Sequence, residues 1–228
     1  MFRVTWTKTL RELRVPILGW GLGLGLSLYL NYATARDAIA SGIAGLAERF
    51  RFMAEPVAVD TVPGYVTFRV LGLVLPVLLS VWAILVGARL VRGEEERGSL
   101  DVLLSTPRSR ARLLAEKLAA LAIALLSVAL LLSLGVLAGQ AGADQPLAYG
   151  RALLATLNAS LVALVFGAAA LLLSQLLPRR AAAGSAAMLL ALAFLTDATG
   201  RTIQGASWLR LGSPLHYYTA NKPLIPGY

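Results

Sequence analysis

The chain has 228 residues, 57% of them hydrophobic and 14% charged, with a mean hydropathy of +0.71 and a net charge of +9. Soluble domains carry about 25% charged residues, so this composition favours an integral membrane protein. The sequence contains no cysteine and one histidine, His216, which excludes disulfides, thiol catalysis and a cluster of histidine metal ligands. No basic patch interleaved with aromatic residues accompanies the positive charge, so we expect no nucleic-acid partner.

Five apolar segments approach the roughly 20 residues that a membrane-spanning helix requires. We expect each of them to be a helix, because an unpaired strand in lipid leaves its backbone polar groups unsatisfied. The predicted spans are 15–33, 66–90, 118–138, 152–177 and 181–196. The predicted fold class is therefore all-α, a polytopic membrane helix bundle formed by a single transmembrane domain over residues 1–228.

The segment 1–14, which precedes the first span, has an amphipathic pattern at helical spacing. Its apolar stripe is formed by Phe2, Trp6, Leu10 and Leu13, and its charged side by Lys8, Arg11 and Glu12. The pattern predicts an interfacial helix on the inner leaflet, with a plain charged tail as the alternative. A cleavable signal peptide is a further alternative, which we disfavour because the apolar run is longer than a usual signal core.

Glycine recurs in the first span at Gly19, Gly21, Gly23 and Gly25. No strand precedes these residues, so a nucleotide-binding loop is disfavoured. They form two overlapping i,i+4 pairs, and pairs of small residues at this spacing let membrane helices approach closely. We therefore predict that they pack helices together. In the second span, Pro76 predicts a kink.

Polar residues in the fourth span are candidates for a substrate path, although such residues also form hydrogen bonds between helices. They are Asn158, Ser160, Ser174 and Gln175. After the fifth span, Asp197 and Arg201 have the i,i+4 spacing of an ion pair, which we expect to be exposed to water. Three aromatic residues suit an interfacial belt: Trp208, Tyr217 and Tyr218.

The distribution of Lys and Arg orients the chain, because short cytoplasmic loops are enriched in both. With the amino terminus inside, 13 of the 21 basic residues fall in inner segments and seven in outer segments, with Arg69 near the outer end of the second span. We therefore expect a cytoplasmic amino terminus, a cytoplasmic loop at 91–117 and an outer segment at 197–228.

The loop at 91–117 concentrates charge around one short apolar helix. Gly98 ends the extension of the second span, and the residue before Pro107 avoids helical geometry, so the helix lies between them. Leu100, Leu103 and Leu104 share one of its faces. A helix of under two turns does not persist alone in water. Its apolar face therefore packs on the inner leaflet, on the base of the protein or, as we favour, on a cytoplasmic partner that the charges orient.

The stretch GEEERGSLDVLLSTPRSRARLLAEKL closely resembles the first cytoplasmic loop of type-2 ATP-binding-cassette (ABC) exporter permeases. The shared pattern is an acidic run, Arg-Gly, a small residue, a leucine-bearing short helix, Pro, Ser or Arg, and a Lys that opens the next span. The ending LGSPLHYYTANKPLIPGY is similar to the outer loop before that family's last span. The matching loop positions are Glu95, Glu96, Arg97, Gly98, Leu100, Leu103, Leu104, Pro107, Ser109, Arg110 and Lys117.

This resemblance implies an exporter permease of a prokaryotic plasma membrane that has no ATPase activity of its own. In the family the loop helix couples to a separate nucleotide-binding subunit, which holds ATP and Mg²⁺, and two like or unlike permease halves face each other. The family has six spans, so the resemblance implies a sixth span beyond 197–228, with a true five-span variant as the alternative that we disfavour. The implied coupling residues are Glu94, Glu95, Glu96, Arg97, Gly98, Leu100, Leu103, Leu104, Pro107, Ser109 and Arg110.

Two other classes of protein are alternatives. A membrane scaffold that docks a cytoplasmic protein without transport also accounts for the loop. An ion-coupled secondary transporter normally carries carboxylates inside its spans, and the central parts of these spans contain none, so this class is disfavoured. The sequence has no GxxxxGK[ST] phosphate-binding motif, in agreement with an ATPase on a separate subunit.

Overall fold

The structure is a computed structural model that describes residues 2–42, 50, 52, 57–91, 110–141, 148–203 and 205–225. Every regular element in these ranges is helical, and five helices are long and apolar enough to cross a membrane. The prediction of an all-helical bundle with five spans is therefore confirmed. The candidate spans are Thr9–Ala33, Val62–Arg89, Ala111–Gly139, Tyr149–Leu173 and Arg179–Thr202.

The first span belongs to one long helix, α1 (Phe2–Ala33), which contains Pro16. It continues without a break across the junction between the predicted interfacial segment and the predicted span. A short helix, α2 (Ala35–Ala40), follows it. The side chains of residues 2–8 lie outside the described part of the structure, so the interfacial role of this segment stays a prediction.

The second span is interrupted. It begins with α3 (Val62–Val66), passes through a π-helix at Thr67–Leu71 and continues as α4 (Val74–Arg89). Pro76 explains the interruption, because proline has no N–H and its ring excludes the carbonyl group four residues earlier, that of Gly72. Leu73, at the break, has φ −137° and ψ −46°, outside helical geometry. Pro76 therefore produces a break in the second span, and this break lies one turn before the proline.

The remaining spans are α5 (Arg110–Gly139), α6 (Tyr149–Leu173) and α7 (Arg179–Thr202). A 3₁₀ helix (Ser207–Gly212) and a short helix, α8 (Pro214–Ala220), follow them. The most extensive helix contacts join α1 to α5 and α4 to α6, and α5 packs against α6. Because α1 packs mainly on α5 whereas α7 packs on α4 and α6, α1 and α7 lie on opposite edges of the bundle.

Small residues allow the close approach within both helix pairs, which in lipid depends on packing rather than on the hydrophobic effect. A Cβ on Gly135 of α5 would collide with the carbonyl oxygen of Gly25, and one on Gly87 of α4 with that of Gly167. Gly21 likewise lies against the Leu131 side chain. Close contact between these helices therefore requires glycine at these positions.

The four glycines of the first span divide between two faces of α1. Gly21 and Gly25 are buried against α5, whereas Gly19 and Gly23 are exposed and have no atom within 4 Å of an added Cβ. Gly19 and Gly23 line a shallow open groove on the outside of α1. A packing role for these two residues stays a prediction.

Candidate functional site

Helix direction gives the bundle two distinct ends. At one end α4 finishes at Arg89 and α5 begins at Arg110, so the segment that joins them, 92–109, leaves the bundle there; we call this the loop end. At the opposite end, residues 207–225 fold back over the spans, and we call these residues the cap. The predicted coupling residues from Glu94 to Ser109 lie outside the described residues, as does the side chain of Arg110.

The cap forms hydrogen bonds with three spans. The Tyr218 hydroxyl donates to the carbonyl oxygen of Leu71 at 2.5 Å. The Asn158 side-chain nitrogen, on α6, donates to the carbonyl oxygen of Tyr218 at 3.1 Å. The Ser213 hydroxyl donates to the carbonyl oxygen of Ala193, on α7, at 2.7 Å. One short helix therefore connects the second, fourth and fifth spans.

The break in the second span makes the contact between Tyr218 and Leu71 possible. Leu71 is the last residue of the π-helix and precedes the non-helical turn at Gly72 and Leu73, where a regular ladder of backbone hydrogen bonds cannot continue. Its carbonyl oxygen accepts a side-chain donor there. Burial raises the pKa of the Tyr218 phenol, because desolvation disfavours the phenolate. The hydroxyl therefore keeps the proton that it donates.

A small cavity of about 30 Å³ lies between the cap and the π-helix. A water molecule needs about 10–15 Å³ of such space, so the cavity has room for one or two waters rather than for a substrate. Its lining combines apolar groups with hydroxyl and amide groups and one ammonium group. The residues include Thr67, Phe68, Leu71, Asn158, Tyr218 and Lys222.

Asp197 pairs with two arginines at the end of α7. Arg201 lies next to one carboxylate oxygen, and Arg210 Nε lies 3.1 Å from the other. The Asp197 side chain is 1% exposed, and those of Arg201 and Arg210 are 6% and 21% exposed. The predicted pair is present, but the expectation that it is exposed to water is wrong. The reason is that the 3₁₀ helix folds back over α7, and a second arginine joins the carboxylate.

The pairing of Arg210 with Asp197 depends on a glycine in α7, Gly200. A Cβ on Gly200 would collide with the side chain of Arg210, so the stem of Arg210 crosses α7 directly over Gly200. The arginine of the 3₁₀ helix can therefore reach a carboxylate one turn earlier in α7, and its ion pair fastens the start of the cap to the fifth span.

Comparison with known families identifies the chain. A family model described as ABC-2 family transporter protein matches residues 22–214. The chain belongs to the ABC-2 transporter family. Comparisons with curated proteins and with solved structures found no match. The match extends from the middle of the first span to the first residue of α8, and the resemblance stated from the loop residues is confirmed at the level of the family.

Family membership defines the coarse function. The chain is a membrane component of an ABC-2 transporter, a family of permease subunits that typically lack ATPase activity and associate with ABC ATPase subunits. The described residues contain no group of three or more His, Cys, Asp or Glu side chains that could hold a metal ion. We therefore assign no metal to this part of the ABC-2 protein.

The four polar residues predicted for a substrate path do not converge within this ABC-2 subunit. Asn158 and Ser160 lie near the cap, whereas Ser174 and Gln175 lie at the loop end, about 24 Å away along α6 at 1.5 Å per residue. The Ser160 hydroxyl is buried and has no hydrogen-bond partner among the described residues. Ser174 and Gln175 donate to the carbonyl oxygen of Leu171. Their part in a path stays a prediction.

The aromatic belt expected on the outer side is partly wrong. Trp208 and Tyr217 are 67% and 62% exposed, as a lipid interface requires, but Tyr218 is 6% exposed and packs in the core. Neighbouring residues of a helix point about 100° apart, so one of two adjacent tyrosines faces inward when the other faces out. Pro76 was the only feature of the sequence that indicated a break in the second span, and this break lies beside the carbonyl group of Leu71 that accepts from Tyr218.

Proposed function

We propose that this chain is the permease subunit of an ABC exporter, which moves a substrate outward across the plasma membrane. The energy comes from ATP hydrolysed by a separate nucleotide-binding subunit, which holds the ATP and Mg²⁺. The family match over residues 22–214 carries this proposal. The excess of basic residues in the segments at the loop end supports a cytoplasmic loop end and an outer cap.

In this proposal the segment 92–109 is the docking element for the ATPase subunit. It joins α4 to α5, and both helices meet at the loop end, so a force on the segment acts on two spans at once. Leu100, Leu103 and Leu104 form the apolar contact. The charged residues Glu94, Glu95, Glu96, Arg97 and Arg110 form a rim that orients the partner.

A second permease half, identical or different, completes the exporter in this proposal. The large apolar side chains on the outer faces of α1 and α7 support it, because an apolar face in the membrane meets either lipid or another helix. On α1 and α7 these include Leu18, Leu22, Leu26, Met188, Leu192 and Leu195. The absence of central charges in the described spans suits an apolar or amphiphilic substrate.

Reconstitution tests the proposal. The chain is purified alone and together with an ABC ATPase subunit that co-purifies with it, and both are placed in proteoliposomes with a panel of fluorescent amphiphiles. We expect no ATP hydrolysis by the chain alone, and ATP-dependent movement of at least one probe by the complex. Strong ATPase activity of the isolated chain would contradict the proposal. ATPase binding without ATP-dependent transport of any probe would favour the scaffold instead.

Substitutions in the loop test the docking face separately. Leu103→Asp and Leu104→Asp should uncouple ATP hydrolysis from transport, because a buried carboxylate in an apolar contact is costly. Val102→Asp is the matched control, since at 100° per residue its side chain faces away from the three leucines. Unchanged coupling in both leucine variants, or an equal loss in the valine variant, would contradict the assignment.

A further inference from the structure

Lys117 is a buried cation near the loop end. It lies about two turns after the start of α5, and the residue is 2% exposed. Its Nζ donates a hydrogen bond of 3.3 Å to Thr9 Oγ1 on α1, 108 residues away in the chain. Thr9 is itself 4% exposed. The contact therefore joins the first and third spans inside the protein.

Lysine is an unusual residue at a position as buried as this one. Removing an ammonium group from water costs several kcal/mol, and methionine would fill a similar space without that cost. A buried polar contact between two helices instead favours one register over others. Lys117 and Thr9 therefore specify how α1 sits on α5.

The glycine contacts show the same register. Gly25 faces the carbonyl oxygen of Leu131, at 3.2 Å from an added Cβ, and Gly135 faces the backbone of Gly25. These pairs have nearly the same offset in the chain as Thr9 and Lys117. The two helices therefore run parallel and in register along most of their length, as one closely packed pair whose loop end is held by the lysine.

The contact between Lys117 and Thr9 joins two helices that connect to the segment 92–109 in different ways. α5 follows directly on the segment 92–109, whereas α1 connects to that segment only through the second span. We propose that Lys117 is the positioning residue through which a displacement of that segment is passed to the first span. This inference rests on the proposed function, in which the ATPase subunit moves the segment. With the contact intact, α1 moves with α5 as one body.

Spin labels test the inference directly, because the chain has no cysteine to compete with introduced ones. Two exposed positions, Leu18→Cys on α1 and Ala115→Cys on α5, report the distance within the pair. Ala115→Cys with Leu176→Cys, which is 82% exposed after α6, reports movement of the pair against its neighbour. Both distances are measured in the complex with its ATPase subunits in nanodiscs, without nucleotide and with trapped ATP.

In the parent protein we expect the distance between 115 and 176 to change with ATP and the distance between 18 and 115 to stay constant. In Lys117→Met the distance between 18 and 115 should change with ATP, or its distribution should broaden. Transport per ATP hydrolysed should fall about threefold, the size typical of a polar contact between membrane helices. Arg14→Met is the control, because it removes an exposed cation from α1, the other helix of the pair; it should leave both readouts unchanged.

Thr9 provides a second route if Lys117→Met fails to assemble. Thr9→Val removes this acceptor hydroxyl and should reproduce the loss, whereas Thr9→Ser keeps the hydroxyl and should retain the parent behaviour. An unaltered distance between 18 and 115 in Lys117→Met or Thr9→Val, with the distance between 115 and 176 still responding to ATP, would overturn the inference alone. If neither distance responds to ATP in the parent, the proposed function fails and the inference fails with it.

Discussion

The Tyr218 hydroxyl donates a 2.5 Å hydrogen bond to the carbonyl oxygen of Leu71, although 147 residues separate the two in the chain. Three features produce this contact. Pro76 breaks the second span, the break leaves a carbonyl group outside regular helical bonding, and α8 places a buried phenol beside it. The cap is thus joined to the second span at the point where that span is least regular.

Tyr218→Phe should lower the free energy of unfolding by about 1–3 kcal/mol, because the carbonyl group of Leu71 stays buried without its donor. Tyr217→Phe is the matched control. Its hydroxyl bonds to the carbonyl oxygen of Leu211 at an exposed site, where water replaces the lost donor. Thermal unfolding of both purified variants in the same detergent measures the difference. Equal shifts in the two variants would show that the Tyr218 hydroxyl has no special role.

Two glycines of α7 should respond differently to substitution by alanine. Gly200→Ala pushes a Cβ into the side chain of Arg210, so the pairing with Asp197 weakens and we expect a loss of about 1–3 kcal/mol. Gly184→Ala enters open space and should be neutral or stabilising by up to about 1 kcal/mol, since alanine favours helix. Unfolding midpoints check both variants. If Gly200→Ala were as stable as the parent protein, Arg210 would not need to cross α7 over Gly200 in order to pair with Asp197.

The number and helical state of the spans could be predicted from the sequence, because the bilayer fixes both the length and the hydrogen bonding of a spanning segment. The glycines of the first span also indicated packing, but not the face, since Gly19 and Gly23 alternate with Gly21 and Gly25 around the helix. Only the position of α5 decides which pair is buried.

The cap could not be predicted, because its contacts join distant parts of the chain. Arg210 reaches Asp197 only after the 3₁₀ helix folds back, and no local periodicity encodes that return. Lys117 was visible as the residue that opens the third span. Its burial depends on Thr9, in a segment that the sequence assigned to the membrane surface. The segment 92–109 contrasts with the cap. Its motif was evident from the sequence, whereas its residues lie outside the part of the chain that the structure describes.

The contact between α1 and α5 should be sensitive to a single methyl group. In Gly135→Ala the new Cβ meets the backbone of Gly25, and two helix backbones must separate, which typically costs about 1–3 kcal/mol. Gly23→Ala adds the same methyl group on the open face of α1 and should change stability little. Unfolding in detergent compares the two. If Gly23→Ala were the more damaging variant, the open face would be in contact with a partner chain.

His216 should make stability depend on pH. Burial, and then the charges of Arg210 and Arg201, lower the pKa of His216 below its ordinary value near 6.5. As the pH falls below about 6.5, the unfolded chain binds the proton before the folded protein does. The free energy of unfolding therefore decreases on acidification. The full contribution of His216 to stability is present above about pH 6.5. Since His216 is the single histidine, His216→Gln should reduce the difference in unfolding midpoint between about pH 7.5 and pH 5.5. The same difference in both proteins would contradict this assignment.

Asn158 should control how often the cap opens, because its side chain holds the carbonyl oxygen of Tyr218 from the fourth span. A cysteine at Thr219, which is 8% exposed, is protected from maleimide while the cap is closed. In the Asn158→Leu background the labelling rate should rise about fivefold, which corresponds to the roughly 1 kcal/mol that one hydrogen bond contributes. Asn31→Leu is the control, because that amide bonds to Ser27 within α1 and does not involve the cap. Labelling that is equally slow in both backgrounds would show that the other contacts of the cap, and not Asn158, hold it closed.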